Sequence, residues 1–290
     1  MAHADFQDLI AQAVGFLVQA DSIVIAAGAG MGVDSGLPDF RGRAGFWKAY
    51  PTLQDAQVGF HQIASPAAFY DDLALAWGFY GHRLALYRGT QPHSGFDVLR
   101  RWQTRFPKGL AVFTSNVDGQ FQKAGLDAAL VHECHGSIHY LQCLHPCTQA
   151  LWSADSFAPD VNIARLRLRG VAPVCLHCGG PARPNILMFN DSAWLPARSD
   201  AQEQRLRHWL RQTRQPVVIE LGAGTAIPSV RHFAQRVARE HGAPLIRINP
   251  ADAALPAGLG VGLALGAAEA LLAIDARLAE LPGQAQHSLV

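Results

Sequence analysis

No run of apolar residues in this 290-residue sequence reaches the roughly 18 positions that a membrane-spanning helix needs. Lys and Arg number 24 against 23 Asp and Glu, and a net charge of only +1 gives no reason to expect nucleic acid as a partner. Residues 1–19 carry Asp5 and Asp8 but no basic region, so we expect no secretory signal peptide. The sequence also lacks internal repeats and low-complexity tracts.

Cysteine is scarce, with five residues in the whole chain, and four of these lie in two close pairs. This usage indicates a metal site in a reducing compartment rather than a disulfide framework, so we expect a cytoplasmic protein. The apolar share of 49% is sufficient for a packed core. The length fits one main domain with a smaller lobe, and we expect a monomer with no membrane partner.

Apolar segments that alternate with helical patterns predict an α/β fold with a doubly wound, Rossmann-like parallel sheet and a smaller lobe. The main domain is predicted to comprise residues 1–45, 90–137 and 186–290. An irregular, aromatic stretch predicts an inserted helical part over 46–89, and a separate small module is predicted over 138–185. Helices are expected over about 5–20, 225–240 and 267–278, and strands over 23–27, 109–114, 130–133, 216–221, 244–249 and 261–264.

A glycine-rich turn follows the first of these strands, with three glycines within residues 28–32. Such a turn lets backbone N–H groups approach a phosphate, which indicates a nucleotide site. The usual dinucleotide fingerprint is absent, because its third glycine would fall at Val33 and no helix runs cleanly through Gly36 and Pro38. An ordinary turn between a strand and a helix explains the glycines equally well.

Polar residues that could carry chemistry follow two later strands. Asn116 and Asp118 come after strand 109–114, where they could either contact a ligand or simply cap the next helix. His135 precedes Gly136, and a histidine with a pKa of about 6.5 is able to act as a general base. A purely structural histidine is the alternative.

Two cysteine pairs predict a structural zinc site, because four thiolates complete a tetrahedral shell with no open position. His145 or His177 could replace one thiolate. Cys134 is expected to be a small buried residue. Cys143 and Cys147 form a C-x3-C pair, and Cys175 and Cys178 form a C-x2-C pair. The two pairs are separated by 27 residues.

These motifs resemble those of the sirtuin family, and they occur in the same order along nearly the whole chain. The chain looks like a divergent bacterial-type member. Residues 28–42 resemble the signature G-A-G-x-S-x-x-S-G-I-P-x-F-R-G, and 115–125 resemble Q-N-x-D-x-L-H-x-x-A-G. His135-Gly136 resembles the catalytic H-G, and 183–191 resembles R-P-x-V-V-x-F-G-E. Departures from these patterns include Gly32 for Ser, Ser115 for Gln, Gln120 and Phe121 for Leu-His, and Asn190 for Gly.

The resemblance implies an NAD-dependent protein lysine deacylase that transfers the acyl group to ADP-ribose, with NAD as cofactor and a structural Zn²⁺. It implies that His135 is the base and that Asn116 and Asp118 orient the ribose and nicotinamide. The implied cofactor-binding set is Gly28, Ala29, Gly30, Asp39, Phe40, Arg41, Asn116, Asp118, Gly222, Gly224, Thr225 and Asn249.

The resemblance also implies an acyl-lysine peptide as substrate, paired by strand addition near Ile186 and Phe189. Tyr80 and Arg83 resemble the Y-x-x-R pair of sirtuins that favour succinyl and malonyl lysine, although a packed Tyr and a surface Arg on an amphipathic helix are the alternative. The departures leave two other activities open. These are a protein ADP-ribosyltransferase or NAD-glycohydrolase, and a non-catalytic NAD-binding sensor.

Overall fold

A computed structural model describes residues 3–38 and 42–281, apart from the side chains of 3–5 and 42–45. The chain divides into two compact units. The first unit comprises Met1–Asp34, His93–Val112 and Trp209–Val290, and the second comprises Ser35–Pro92 and Phe113–His208. The finer division into a nucleotide domain, a helical insertion and a metal module stays a prediction.

Eleven α-helices lie in the described part of the chain, together with 3-10 helices at Ala29–Ser35 and Ala128–Leu130. The α-helices are α1 His3–Val18, α2 Gly42–Ala49, α3 Pro51–Asp55, α4 Phe60–Ile63, α5 Pro66–Asp71, α6 Leu73–Gly89, α7 Ser94–Arg105, α8 Gln120–Lys123, α9 Ala197–Leu210, α10 Ser229–Glu240 and α11 Ala267–Ala279.

Eleven strands accompany them in the same described residues. They are β1 Ser22–Ala27, β2 Leu110–Thr114, β3 Val131–Glu133, β4 Gly136–Cys143, β5 Trp152–Ser153, β6 Asp160–Asn162, β7 Arg167–Arg169, β8 Ala182–Ile186, β9 Pro216–Leu221, β10 Leu245–Ile248 and β11 Gly260–Leu263.

The main sheet is parallel and has six strands in the order β11-β10-β9-β1-β2-β3. Every residue of β1 and β9 is buried, which is why both are apolar almost throughout, with Ser22 and Glu220 as the exceptions, rather than alternating. Their register places Ile25 opposite Ile219 and Ala27 opposite Leu221, so both strands end at the same edge. The predicted α/β class with a parallel sheet is confirmed.

Helices of the first unit cover this sheet with apolar faces. In α10 the buried residues recur at helical spacing and pack against β9, β1 and β10. Burying such a face stabilises the helix by about 1.5–3 kcal/mol for each large side chain. The buried positions of α10 are Val230, Phe233, Ala234, Val237 and Ala238.

The second unit contains the helices predicted over 46–89, here α2 to α6, and two small antiparallel sheets. One sheet has the order β5-β4-β8, and the other pairs β6 with β7. Helix α6 packs closely against the β6–β7 pair. Glycine at position 78 permits this approach, because a Cβ there would overlap the Leu166 carbonyl oxygen. The indole of Trp77 on the same helix donates to the Ala182 carbonyl at 3.0 Å.

The turn after β1 leads into the 3-10 helix Ala29–Ser35 rather than into an α-helix. Gly36 has φ +84° and Pro38 follows, so the helix ends where the sequence predicted a break. None of the described helices is both long and apolar enough to cross a membrane.

Candidate functional site

The glycine loop, residues 28–32, packs backbone to backbone against the loop that follows β9. The Gly28 N–H donates to the Leu221 carbonyl at 2.9 Å, and the Gly30 N–H donates to the Gly222 carbonyl at 3.0 Å. A Cβ on Gly28 would lie 2.9 Å from the Cα of Ala223. These glycines therefore allow two loops to touch, and their N–H groups already have protein acceptors.

The second loop, residues 222–225, is held by side chains that converge on the Ala223 carbonyl. Asn249 donates to this oxygen from Nδ2 at 2.9 Å, and Arg231 donates from Nη2 at 3.2 Å. The Asn249 Oδ1 accepts from the N–H groups of Ala251 and Asp252. Asn249 is buried, so its amide links the 222–225 loop to the turn at Ala251 and Asp252.

A buried ion pair that sequence reasoning missed lies beside this network. Glu220 and Arg247 form two hydrogen bonds, Nε to Oε1 at 2.7 Å and Nη2 to Oε2 at 3.1 Å, and both side chains are almost fully buried. Arg231 approaches the same carboxylate at 3.8 Å. The available signal was a charged residue within each of two otherwise apolar strands, since such residues are rarely buried unless paired.

The predicted cofactor-binding residues of the first unit thus lie after β1, β9 and β10, at one edge of the sheet. Three of them, Ala29, Gly224 and Thr225, are exposed. Ligands of open α/β sheets bind at this carboxyl edge, so the exposed positions remain candidates for NAD contact. Outside the described residues lie three others, Asp39, Phe40 and Arg41.

Asn116 and Asp118 follow β2 in the second unit, as predicted. Asp118 accepts from the Gln120 N–H at 2.9 Å through Oδ1, and its carbonyl accepts from His139 Nε2 at 2.9 Å. Helix α8 begins at Gln120 with Gly119, φ +72°, in the capping position. Asn116 is therefore not the cap of this helix and Asp118 lies before its first turn, although the Asp118 carboxylate binds the first N–H of the helix.

The Asp118 carboxyl has a raised affinity for protons. Burial raises its pKa from the ordinary 3.8 to about 6, and the nearby Glu133 carboxylate also raises it, while the Gln120 hydrogen bond and Arg83 lower it. Asp118 lines a cavity of about 420 Å³ within the second unit. A carboxyl group with this pKa changes charge just below neutral pH.

His135 lies between β3 and β4, and its carbonyl accepts from the Leu187 N–H at 2.9 Å. Burial lowers the pKa of the His135 imidazole, and a backbone hydrogen bond with Ser115 partly offsets that effect. Gly136 has φ +79°, and a Cβ there would overlap the Asn185 carbonyl oxygen. The H-G pair thus combines a neutral imidazole with a backbone position that only glycine fills.

Neighbouring His132 differs from His135 in its surroundings. Its Nε2 lies 3.1 Å from the Ser199 hydroxyl, and its ring packs edge-on against Phe113. Burial lowers its pKa to about 4. His132 is therefore a packed core histidine.

The predicted peptide-pairing segment contains β8 and the turn after it. Ile186 is buried in β8, where it pairs with Gly136. Phe189 donates from its N–H to the Ala64 carbonyl at 2.9 Å, and its ring centroid lies 4.0 Å from that of His61. This places an aromatic cluster beside the predicted peptide segment.

A fully buried ion pair closes the same turn. Arg183 donates from Nη1 and Nη2 to the Asp191 carboxylate at 2.7 and 2.8 Å, and neither side chain is exposed. Asp191 also accepts from the N–H groups of Met188 and Ala193. Asn190 has φ +55°, a conformation that Asn tolerates better than most residues.

Arg83, predicted to share a helix face with Tyr80, is only 8% exposed, so the alternative of a surface arginine is wrong. Its Nε and Nη2 both donate to the Tyr87 hydroxyl, at 2.9 and 2.6 Å. Its guanidinium carbon lies 5.9 Å from the Tyr80 ring centroid. Tyr87 was missed, although its spacing of four residues from Arg83 is a recognisable helical signal.

The four paired cysteines come together as predicted, with all sulfur atoms within 4.8 Å of one another. Sulfur atoms about 2.3 Å from a tetrahedral Zn²⁺ lie about 3.8 Å apart. The Cys143–Cys178 and Cys147–Cys175 separations, 3.7 and 3.6 Å, fit that geometry. The thiolates complete the shell without a histidine, so the site fits a structural zinc ion.

Cys134 stands apart from this cluster. Its side chain is half-buried rather than fully buried, and burial raises its pKa to about 12. A thiol in such surroundings is protonated and unreactive.

Comparison with known proteins agrees with this geometry. The sequence model of a protein family, described as "Sir2 family", matches residues 28–208. An NAD-dependent protein deacetylase of Shouchella clausii is 33% identical over 233 residues, which cover 80% of this chain and 84% of that protein. An NAD-dependent protein deacylase of Aquifex aeolicus is 29% identical over 231 residues, with the same coverage.

A solved structure described as a Sir2 homolog–NAD complex has a TM-score of 0.68 at 23% identity and covers 94% of both chains. A Sir2 homologue bound to ADP-ribose has a TM-score of 0.69 at 22% identity, covering 92% of this chain and 96% of that one. These two likenesses show the fold. Since the family model matches more than half of the sequence, the chain belongs to the Sir2 family, the sirtuins.

Proposed function

We propose that this sirtuin is an NAD-dependent protein lysine deacylase, which releases nicotinamide and transfers the acyl group to ADP-ribose. Relatives that bear this name align with four fifths of the chain. The observation that carries the proposal is the His135 imidazole, which burial keeps neutral beside a glycine that no other residue can replace. A neutral imidazole is the form that accepts a proton.

In the proposed reaction, NAD reacts with the acyl-lysine substrate and no hydride moves. The acyl oxygen attacks the ribose carbon that bears nicotinamide, and nicotinamide leaves. His135 would then take the proton of a ribose hydroxyl, which attacks the acyl carbon, and pass that proton to the lysine amine as the C–N bond breaks. Water adds to the same carbon, so the products are free lysine and O-acyl-ADP-ribose. Asn116 and Asp118 orient the ribose and nicotinamide, while the glycine loop and the 222–225 loop lie beside the ADP part.

We propose further that the acyl pocket accepts chains that end in a carboxylate. Arg83 is permanently charged, buried and held in one orientation by Tyr87, among aromatic rings. A buried guanidinium attracts a carboxylate strongly, because little water screens the charge. Succinyl and malonyl lysine would then be preferred to acetyl lysine.

The deciding experiment incubates the protein with NAD and a matched pair of acetylated and succinylated peptides, with mass spectrometry of the peptide and assay of nicotinamide. Deacylated peptide with equimolar nicotinamide supports the proposal. Nicotinamide without deacylation would indicate an ADP-ribosyltransferase or an NAD-glycohydrolase, and NAD binding without turnover would indicate a sensor. His135→Ala should abolish turnover, whereas His241→Ala, at the end of α10, should not.

The acyl preference is tested separately with Arg83→Met, which keeps a long apolar side chain. We expect succinyl activity to fall roughly tenfold or more, as for loss of a charge-assisted pair, while acetyl activity changes far less. Equal losses on both peptides would show that Arg83 supports the fold rather than selecting the acyl group.

A reducing compartment suits this enzyme, because the four thiols must stay reduced to bind zinc. We therefore propose a cytoplasmic location, with acyl-lysine proteins as substrates.

A further inference from the structure

His93 uses both of its ring nitrogens, and each contacts a different segment of the first unit. It precedes α7, and its Nδ1 accepts from the Gly95 N–H at 3.0 Å, which caps that helix. Its Nε2 lies 2.9 Å from the Met31 carbonyl oxygen, at the end of the glycine loop. One imidazole thus joins a rigid helix to the loop.

The two contacts fix the protonation state of the ring. Because Nδ1 accepts a hydrogen bond from Gly95, it carries no proton, and Nε2 must then donate its N–H to Met31. Burial lowers the pKa of His93, which agrees with a neutral ring, although the Met31 hydrogen bond and the Asp34 carboxylate partly offset that effect.

Two further hydrogen bonds extend the constraint along the same segment. The Met31 N–H donates to the Gly28 carbonyl at 3.0 Å, so a fixed Met31 also fixes the start of the loop. At the far end, the Asp34 Oδ2 accepts from the Ala268 N–H at 2.8 Å, in the first turn of α11. The 3-10 helix is therefore held at both ends by side-chain hydrogen bonds to α7 and α11.

We propose that His93 is a positioning residue for NAD, which holds the glycine loop in its binding conformation through the Met31 carbonyl. The inference rests on the proposed function, since it assumes that this loop binds NAD. Glycine loses more conformational freedom on ordering than any other residue, so a loop with three glycines in five positions is costly to order. A loop already ordered before NAD arrives leaves more of the binding energy available for affinity.

The two contacts of His93 can be separated by substitution. His93→Asn keeps an acceptor near the position of Nδ1 and is a favourable helix cap, but its side chain is too short to reach Met31. His93→Gln places an amide N–H near the position of Nε2 and gives up the cap. His93→Ala removes both contacts, and His241→Ala is the matched control in the same unit.

We expect His93→Asn to melt near the wild-type temperature but to bind NAD roughly three- to tenfold more weakly, as for loss of one buried hydrogen bond. The KM for NAD should rise while kcat with a saturating peptide stays close to wild type. His93→Gln should show the reverse, with a lower melting temperature and nearly wild-type NAD affinity. His93→Ala should lose both.

Calorimetric titration with NAD and thermal melts without it measure these effects. Wild-type affinity in His93→Asn, or a loss of affinity that follows only the loss of stability across the variants, would overturn the proposal. Amide hydrogen exchange of residues 28–32 without ligand gives an independent result. Exchange of these amides should be faster in His93→Asn than in His93→Gln. Equal exchange in the two variants would refute the proposal that His93 holds the glycine loop, even if the wild type bound no NAD.

Discussion

A Cβ atom on Gly222 would clash with the Cα atom of Gly30, so the two loops meet at a distance that only glycine permits. Gly222 also has φ +57°, which disfavours any side chain. We expect Gly222→Ala to lower the free energy of unfolding by about 2–4 kcal/mol, because it adds a clash to backbone strain. Urea unfolding measures the loss.

Gly242 provides the matched control for that change. It has nearly the same φ, +59°, but a Cβ there would meet no atom within 4 Å. Gly242→Ala should therefore cost only the strain, about 1 kcal/mol. Equal losses for the two variants would show that conformation alone, and not the contact between the loops, requires glycine at position 222.

Replacing Asp118 with Asn should stabilise the protein at neutral pH while impairing its activity. The folded-state pKa of Asp118, about 6, exceeds its ordinary 3.8, so the folded protein binds this proton more tightly than the unfolded chain does. The stability that the protonated form contributes is complete below pH 4 and is lost as the pH rises through 6.

Asp118→Asn mimics the protonated form at every pH. We expect a gain of about 3 kcal/mol at pH 8 that disappears near pH 4, measured by thermal unfolding across this range. Asp155→Asn, at an exposed carboxylate, is the control for the substitution itself. A stabilisation by Asp118→Asn that is independent of pH would contradict the raised pKa.

Breaking the buried Arg183–Asp191 pair should be among the most damaging single changes in the second unit. Asp191→Asn leaves an uncompensated guanidinium where neither side chain is exposed, at a cost of about 3–5 kcal/mol. The exposed pair Arg207–Glu203 is the comparison, and Glu203→Gln should cost less than about 0.5 kcal/mol. Similar unfolding midpoints in urea for the two variants would rule out a structural role for the buried pair.

Cys178→Ser should release the metal from the four-cysteine cluster. We expect close to one zinc per chain in the wild type by elemental analysis and far less in the variant, because a serine hydroxyl is a poor replacement for a thiolate ligand. Cys134→Ser, outside the cluster, should keep the wild-type zinc content. Equal zinc in both variants would exclude the predicted site.

The strands of the main sheet and the zinc ligands were predictable from sequence because their signals are local, whereas the short strands β4 to β7 were not predicted. Residues 23–27 are a continuous apolar run, 216–221 are apolar apart from Glu220, and each cysteine pair lies within five positions. The order in which the strands pair was not readable from such runs. Many registers bury the same residues, and the choice depends on contacts distant in sequence.

The supporting residues of the site were missed for the same reason. Glu220 and Arg247 are 27 positions apart, and His93 meets Met31 across 62 positions. The residues around His93 do not indicate that it caps α7 and contacts Met31, since Ser94 is the more usual capping residue in that stretch. Motifs identify residues that face a ligand, whereas the residues that hold those motifs in place emerge only when the chain is folded.

The zinc cluster has a consequence far from the metal itself. Its two cysteine pairs bracket residues 148–174, and that span contains the β6–β7 pair against which α6 rests through the contact of Gly78 with Leu166. A closed ring of this size loses much of its freedom when its ends are joined. Loss of the zinc would open this ring and loosen the support of α6, and so disturb Arg83 on that helix, the residue proposed to select the acyl group.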